Sequence, residues 1–169
     1  MSEIFFTADT HLGHANILSY DKTRGKFKSL EEHDETIIAN WNKTVGPRDI
    51  VYHLGDFALV SDSNIYHRRL NGKKIILIWG NHDWRNKAKL KSWAVEQDVM
   101  YLKEHNLFLS HYPHYSWPKS HRGCIHLFGH VHEEFKHVPG LDRKVTKNMN
   151  VGVTWHDFTP VHLDRVLAL

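Results

Sequence analysis

Ile75-Ile76-Leu77-Ile78-Trp79-Gly80-Asn81-His82-Asp83 is the stretch that decides how this sequence folds. Its five leading apolar residues show no alternation, which fits a strand buried on both faces inside an α/β sheet. The run ends in a glycine followed by three side chains able to hold a metal ion or a proton. Sheets of this kind bind ligands beyond the carboxyl ends of their strands, where loops aim side chains while the strands stay fixed. The same grammar recurs upstream. Ile4-Phe5-Phe6-Thr7-Ala8 runs into Asp9-Thr10-His11 and Gly13, and Asp49-Ile50-Val51-Tyr52-His53-Leu54 runs into Gly55-Asp56.

Helical signals separate these strands. Ser29-Leu30-Glu31-Glu32 fits a capping box, Ile38, Trp41 and Val45 recur at helical spacing, and Gly46-Pro47 stops the helix. Ser61-Asp62-Ser63 can cap a short helix to about Leu70, and Asn71-Gly72 turns the chain into the opening strand. Strand and helix alternate in units too long for hairpins, so this half is expected to form a largely parallel sheet. Downstream, Met100–Leu102, Leu107–Leu109, Ile125–Phe128, Asn150–Val153 and Val161–Leu163 read as short strands with weak helical signal between them. Antiparallel pairing is expected there. Two more strand ends carry ligand types, Ser110-His111 and Gly129-His130-Val131-His132.

The 169 residues, 41% of them hydrophobic, suffice for one domain with a sizeable core, spanning 1–169. The charge balance of 22 Lys and Arg against 19 Asp and Glu is only mildly basic and is scattered, so nucleic acid is permitted as a partner but not demanded. Sixteen histidines are many for this length. The single cysteine, Cys124, excludes an internal disulfide or a Cys-rich zinc site, and its apolar setting reads as a buried, inert thiol. Met1-Ser2-Glu3-Ile4-Phe5-Phe6 lacks the basic flank of a signal peptide, and no membrane span follows; a cytoplasmic protein is expected.

Collected, the strand ends offer Asp9, His11, Asp56, Asn81, His82, His111, His130 and His132. An isolated His-x-His is uninformative, but five junctions of the same kind are not what folding alone requires. The order Asp9-x-His11, Gly55-Asp56, Gly80-Asn81-His82-Asp83, His111, Gly129-His130-x-His132 resembles the calcineurin-like metallophosphoesterases, most of all their small stand-alone bacterial and phage members. The resemblance implies an α/β fold of four layers, α/β/β/α, in which two mixed sheets pack face to face with helices outside. It implies that Asp9, His11, Asp56 and His132 hold one divalent ion and that Asp56, Asn81, His111 and His130 hold a second, with Asp56 bridging. A hydroxide shared by the two ions would attack the phosphorus, His82 would protonate the leaving oxygen, and Asp83 would orient His82. Imidazole, carboxylate and amide donors suit Mn, the expected ion, as well as Fe, Zn, Co or Ni.

Two divalent ions bring four positive charges against the two carboxylates of Asp9 and Asp56, so the site favours an anionic phosphoryl group. The expected activity is therefore a phosphodiesterase acting on a small or nucleotide-type phosphoester. A nuclease, and a non-catalytic interaction module on the same fold, are the alternatives. His14 and Asn16 can face the substrate or solvent; Arg85 and Arg122 are the candidates for phosphate contact. His53 is expected to pack or hydrogen-bond within its strand. The loop from Tyr112 to Arg122, with its aromatics, cations and two prolines, either stacks a base or forms a rigid surface loop.

Overall fold

In the computed structural model, which describes residues 2–83, 95–142 and 144–169, two mixed sheets pack against each other and their strand ends open on a common cleft. The first sheet is built on β1 (Ile4–Thr7), β2 (Ile50–His53), β3 (Lys74–Ile78) and β4 (Val95–Gln97), all parallel. Short α1 (Ile17–Tyr20), α2 (Leu30–Thr44) and α3 (Asn64–His67) lie between its strands. Pleating sorts the side chains. Phe5, Val51, Ile75 and Leu77 pack with Ile37 and Trp41 of α2, while Phe6, Leu54 and Ile78 enter the core between the sheets. Ile75 through Ile78 are all buried, as their unbroken apolar run requires. Each such side chain contributes roughly 1.5–3 kcal/mol by leaving water.

Helix α2 begins at the expected cap, with Ser29 Oγ accepting from Glu32 N at 3.1 Å. The return bond of the capping box is shifted by one residue, since the Glu32 carboxylate takes Lys28 N at 2.7 Å. The helix ends at Thr44, ahead of Gly46-Pro47, and Trp41 Nε1 ties it to the Asn71 carbonyl at 2.8 Å. α3 is shorter than expected. It ends at His67, and tighter bonds from Arg69 N to Tyr66 O and Leu70 N to His67 O carry the turn to Leu70.

The second sheet corrects the pairing expected from the sequence. Its order is β5 (Val99–Leu102), β6 (Leu107–Ser110), β7 (Ile125–Phe128), β8 (Asn148–Asn150), and only β5 and β6 are antiparallel. β6–β7 and β7–β8 are parallel. Among the described residues the β6–β7 crossover is a loop with one 3-10 turn, at Ser120–Arg122, and the β7–β8 crossover is turns and irregular chain, so the helical signal that marks a parallel crossover is missing. The expected strand Asn150–Val153 also moves: β8 occupies Asn148–Asn150, and Val153–Trp155 is a 3-10 turn. Finally, β9 (Val161–His162) leaves this sheet and pairs antiparallel with β1 in the first, where Leu163 opens α4 (Leu163–Leu167).

α2 covers the outer face of the first sheet, and the 111–124 crossover covers that of the second. Phe108, Trp117 and Cys124 form a buried cluster there, with Trp117 Nε1 donating to the Cys124 carbonyl at 2.8 Å. Inside this cover His126 is fully used: Nδ1 meets the Phe108 carbonyl at 3.1 Å and Nε2 accepts from His114 N at 3.0 Å. Burial lowers its pKa to about 3, so it is neutral. The buried Trp117 makes this loop a structural cover, while Tyr112 and Tyr115 stay exposed.

Candidate metal centre

The centre is assembled at the carboxyl ends of β1, β2, β3, β6 and β7, where the chain breaks strand geometry. Asp9, His11, Asp56, His130 and His132 all have positive φ, between 40° and 71°. Left-handed backbone is unfavourable for residues with a Cβ and persists where surrounding structure enforces it, most often at functional sites. The loops also approach unusually closely. A Cβ at Gly129 would lie 2.6 Å from the Asp9 carboxylate, and one at Gly55 would lie 2.5 Å from His111 Nδ1, so only glycine fits at either.

Asp56 is the hub. His11 Nε2 and His111 Nε2 each lie 3.5 Å from its Oδ2, and His82 Nε2 lies 3.9 Å away. His82 N donates to Asp56 Oδ1 at 2.9 Å. On one side Asp9, His11 and His132 bring ligand atoms within 4.8 Å of one another; on the other, Asp56, His111 and His130 do the same. Asn81 Oδ1 joins the second group, 3.1 Å from His111 Nε2. His11, Asp56 and His82 also meet this limit, which puts His82 at the boundary between ligand and reactant.

The donor set fits two divalent ions. His11 Nε2 is buried without a hydrogen-bond partner among the described residues, and its 3.5 Å separation from Asp56 Oδ2 exceeds a hydrogen bond. An ion with ligand bonds of about 2.0–2.2 Å spans such a gap. The tautomers are set from behind: carbonyl and carboxylate oxygens only accept, so His111 Nδ1 donates to Leu54 O at 2.7 Å and His132 Nδ1 to Asp21 Oδ2 at 3.0 Å. Each ring thereby keeps Nε2 for the cleft.

The electrostatics reflect crowding of acids and imidazoles away from water. Burial raises the Asp9 pKa, and burial lowers that of His11 well below its ordinary value. Burial also works to raise Asp56, but the facing imidazoles of His111 and then His11 outweigh it and hold the carboxyl well below the usual range. His111 shows the reverse balance: burial pulls it down, yet Asp56 and Asp9 push it up to about 9.

Asp83 has a different task from the one expected. Instead of orienting the His82 ring, its Oδ2 accepts Asp56 N at 2.7 Å and Gly80 N at 2.8 Å, and its Oδ1 accepts Phe57 N at 2.9 Å. It is a buried clamp between two ligand loops, with burial and then the charge of Asp56 raising its pKa to about 6.

A cleft of about 320 Å³ opens over the centre, lined by His11, His14, Tyr20, His82, His130 and His132 among others. His14 therefore faces the cleft, with Nδ1 3.3 Å from His11 Nδ1, and Asn16 lines it too. Arg122 does not reach it. Its carbonyl faces Asn106 Nδ2 at 3.4 Å, just before β6 begins, at the end of the sheet away from the cleft. Arg85 lies outside the described residues. His53 is packed and buried as expected, but its ring bonds outside β2, with Nε2 2.9 Å from Thr10 Oγ1, and burial lowers its pKa to about 3. Two residues that motif reading passed over, Asp21 and Arg24, stand directly behind the centre. Their only trace in the sequence is an acid three residues ahead of an arginine in a polar loop. Asp21, His132 and Glu133 could also be taken as a cation site, but both Asp21 oxygens already accept from Thr23, Arg24 and His132.

Comparison with known proteins agrees with this geometry. The family model for the calcineurin-like phosphoesterases matches residues 2–143. An uncharacterized protein of Methanocaldococcus jannaschii is 33% identical over 174 aligned residues, covering 100% of this chain and 92% of the relative. The gene 66 protein of Mycobacterium phage L5 is 29% identical, with 78% of each chain covered. A crystal structure of a protein of unknown function from Aquifex aeolicus superposes with a TM-score of 0.77 at 27% identity, covering 99% of both chains.

Proposed function

This chain belongs to the calcineurin-like phosphoesterase family, and we propose that it is a phosphodiesterase with two divalent ions, Mn foremost, acting on a small or nucleotide-type phosphoester. The observation that carries this reading is the convergence of Asp9, His11, Asp56, Asn81, His82, His111, His130 and His132 on one cleft around Asp56 Oδ2. Asp9, His11 and His132 would hold one ion and Asn81, His111 and His130 the other, with Asp56 between them. When bound, the ions polarise the phosphoryl oxygens and acidify a water enough to attack at neutral pH. The four charges of the ions exceed the two of Asp9 and Asp56, so the pocket complements an anionic phosphoryl group.

The chain's own groups do the rest. His82 stands half-buried at the cleft wall, its backbone N anchored on Asp56, placed to give a proton to the departing oxygen. His14, with its ring centroid 5.8 Å from that of His82, is placed to hydrogen-bond a phosphoryl oxygen. Tyr20, 71% exposed at the rim, offers a ring face for a base or aryl group.

The test is hydrolysis of a chromogenic aryl phosphodiester against the matched monoester, a cyclic nucleotide and a short oligonucleotide, each with Mn and with Zn. Diester hydrolysis that needs metal supports the reading. Turnover of the monoester alone, or of oligonucleotides alone, would replace it with a phosphatase or a nuclease respectively.

A further inference from the structure

The cluster behind the centre is the least expected feature of the molecule. Arg24 is completely buried and donates through all three of its guanidinium nitrogens. Nε donates to Asp21 Oδ2 at 2.8 Å, Nη1 to the Thr10 carbonyl at 3.1 Å and to His33 Nε2 at 2.8 Å, and Nη2 to the Asp9 carbonyl. Asp21 shares the same Oδ2 with His132 Nδ1, while its Oδ1 takes Thr23 N and Thr23 Oγ1. The polarity is consistent along the chain of bonds. Because Arg24 only donates, His33 accepts through Nε2 and donates through Nδ1 to Asp34 Oδ1 at 2.8 Å. Asp34 Oδ2 then receives Gly13 N at 2.9 Å and Tyr66 Oη at 2.8 Å.

We propose that Asp21 and Arg24 are the positioning pair for one half of the centre, the half made by Asp9, His11 and His132; the inference rests on the two-ion reading above. The carbonyls that Arg24 grips belong to Asp9 and Thr10, the two peptide units that set the directions of the Asp9 and His11 side chains. Both of those ligands stand in left-handed backbone, at φ 56° and 48°. A planar fork fixed on two carbonyls and one carboxylate holds that conformation in a way a lysine point charge does not. Through Asp21 the same fork fixes the third ligand, since the shared carboxylate sets the His132 tautomer and makes its free nitrogen a stronger donor. His111, in the other half, is held instead by the Leu54 carbonyl. The two ion sites are thus supported by separate backings and can be weakened one at a time.

The test is calorimetric Mn(II) titration of the wild-type chain, Asp21→Asn, Arg24→Lys and the control Tyr66→Phe, with metal-free thermal melts of each. Tyr66→Phe removes the far end of the same buried network, so it reports what loss of stability alone does. Asp21→Asn and Arg24→Lys are expected to keep one ion at wild-type affinity and to bind the other about 10–100-fold more weakly. Tyr66→Phe is expected to bind both ions as the wild type does. Equal weakening of both ions, unchanged binding in both variants, or the loss of one ion in Tyr66→Phe would overturn the pairing. Should both substitutions unfold the chain, histidine side-chain NMR of the metal-loaded wild type decides: His132 must carry its proton on Nδ1, and an Nε2-protonated ring overturns the proposal. A wild-type chain that binds fewer than two ions would instead remove the two-ion reading itself.

Discussion

The first sheet brings the acid and amide candidates for the centre, whereas the candidates that follow β6 and β7 of the second are imidazoles. Asp9, Asp56 and Asn81, with His11 and His82, follow β1, β2 and β3; His111, His130 and His132 follow β6 and β7. The two sets face opposite physical problems. A buried carboxylate needs donors, and the structure supplies backbone N–H groups: His130 N to Asp9 at 3.0 Å, His82 N to Asp56, and three amides to the Asp83 clamp. A buried ligand imidazole needs an acceptor behind it to fix the tautomer, and Leu54 O and Asp21 provide one. One centre is therefore held by donors on its acidic side and by acceptors on its basic side.

Substitutions that break this division should differ in size. Asp56→Ala removes the group common to both sides, and neither ion should remain bound in elemental analysis after gel filtration; retention of two would disprove its bridging place. His82→Ala should keep both ions and lower kcat about 10²–10⁴-fold; unchanged kcat would end its role as proton donor. Asp83→Asn leaves Asp56, Gly80 or Phe57 N–H without an acceptor and should lower unfolding stability by about 2–3 kcal/mol in urea melts. Stability matching the wild type would contradict the clamp.

The buried histidines outside the centre provide a smaller, pH-dependent contrast. His53 and His126 have folded pKa values lowered by burial to about 3, against an ordinary 6.5. Above pH 6.5 both are neutral in either state and have no effect. As pH falls from 6.5 toward about 3, the unfolded chain takes up protons that the fold refuses, so stability declines across this window. His126→Phe should flatten part of that decline in melts taken between pH 4 and 7; a wild-type slope would show that this ring is not its source. Least affected should be Arg122→Ala, with metal binding and kcat unchanged and stability within about 0.5 kcal/mol.

The same contrast between sheets explains what could be read in advance. The first sheet was legible because Ile75–Ile78 is apolar throughout and Ser29 marks the start of α2. Its parallel order followed from helices between strands. The second was misread because its crossovers contain no long helix among the described residues, which removed the local signal of parallel pairing. Site candidates were legible because they follow strand ends, whether beside a glycine, as Asp56, Asn81 and His130 are, or not, as with Asp9, His11 and His111. The family resemblance pairs Asp83 with His82, but a motif does not reveal which way a buried carboxylate turns, and the donors it meets are backbone amides. Asp21 and Arg24 were missed for a related reason. They meet Asp9 and His132 only through the fold, Asp21 lying 111 positions from His132.

The central claim is that the two sheets together hold two ions, and metal titration of the intact chain tests it most directly. Calorimetry with Mn(II), checked by elemental analysis of the loaded protein, should give two ions per chain. One tightly bound ion, or none under any loading condition, would contradict the account.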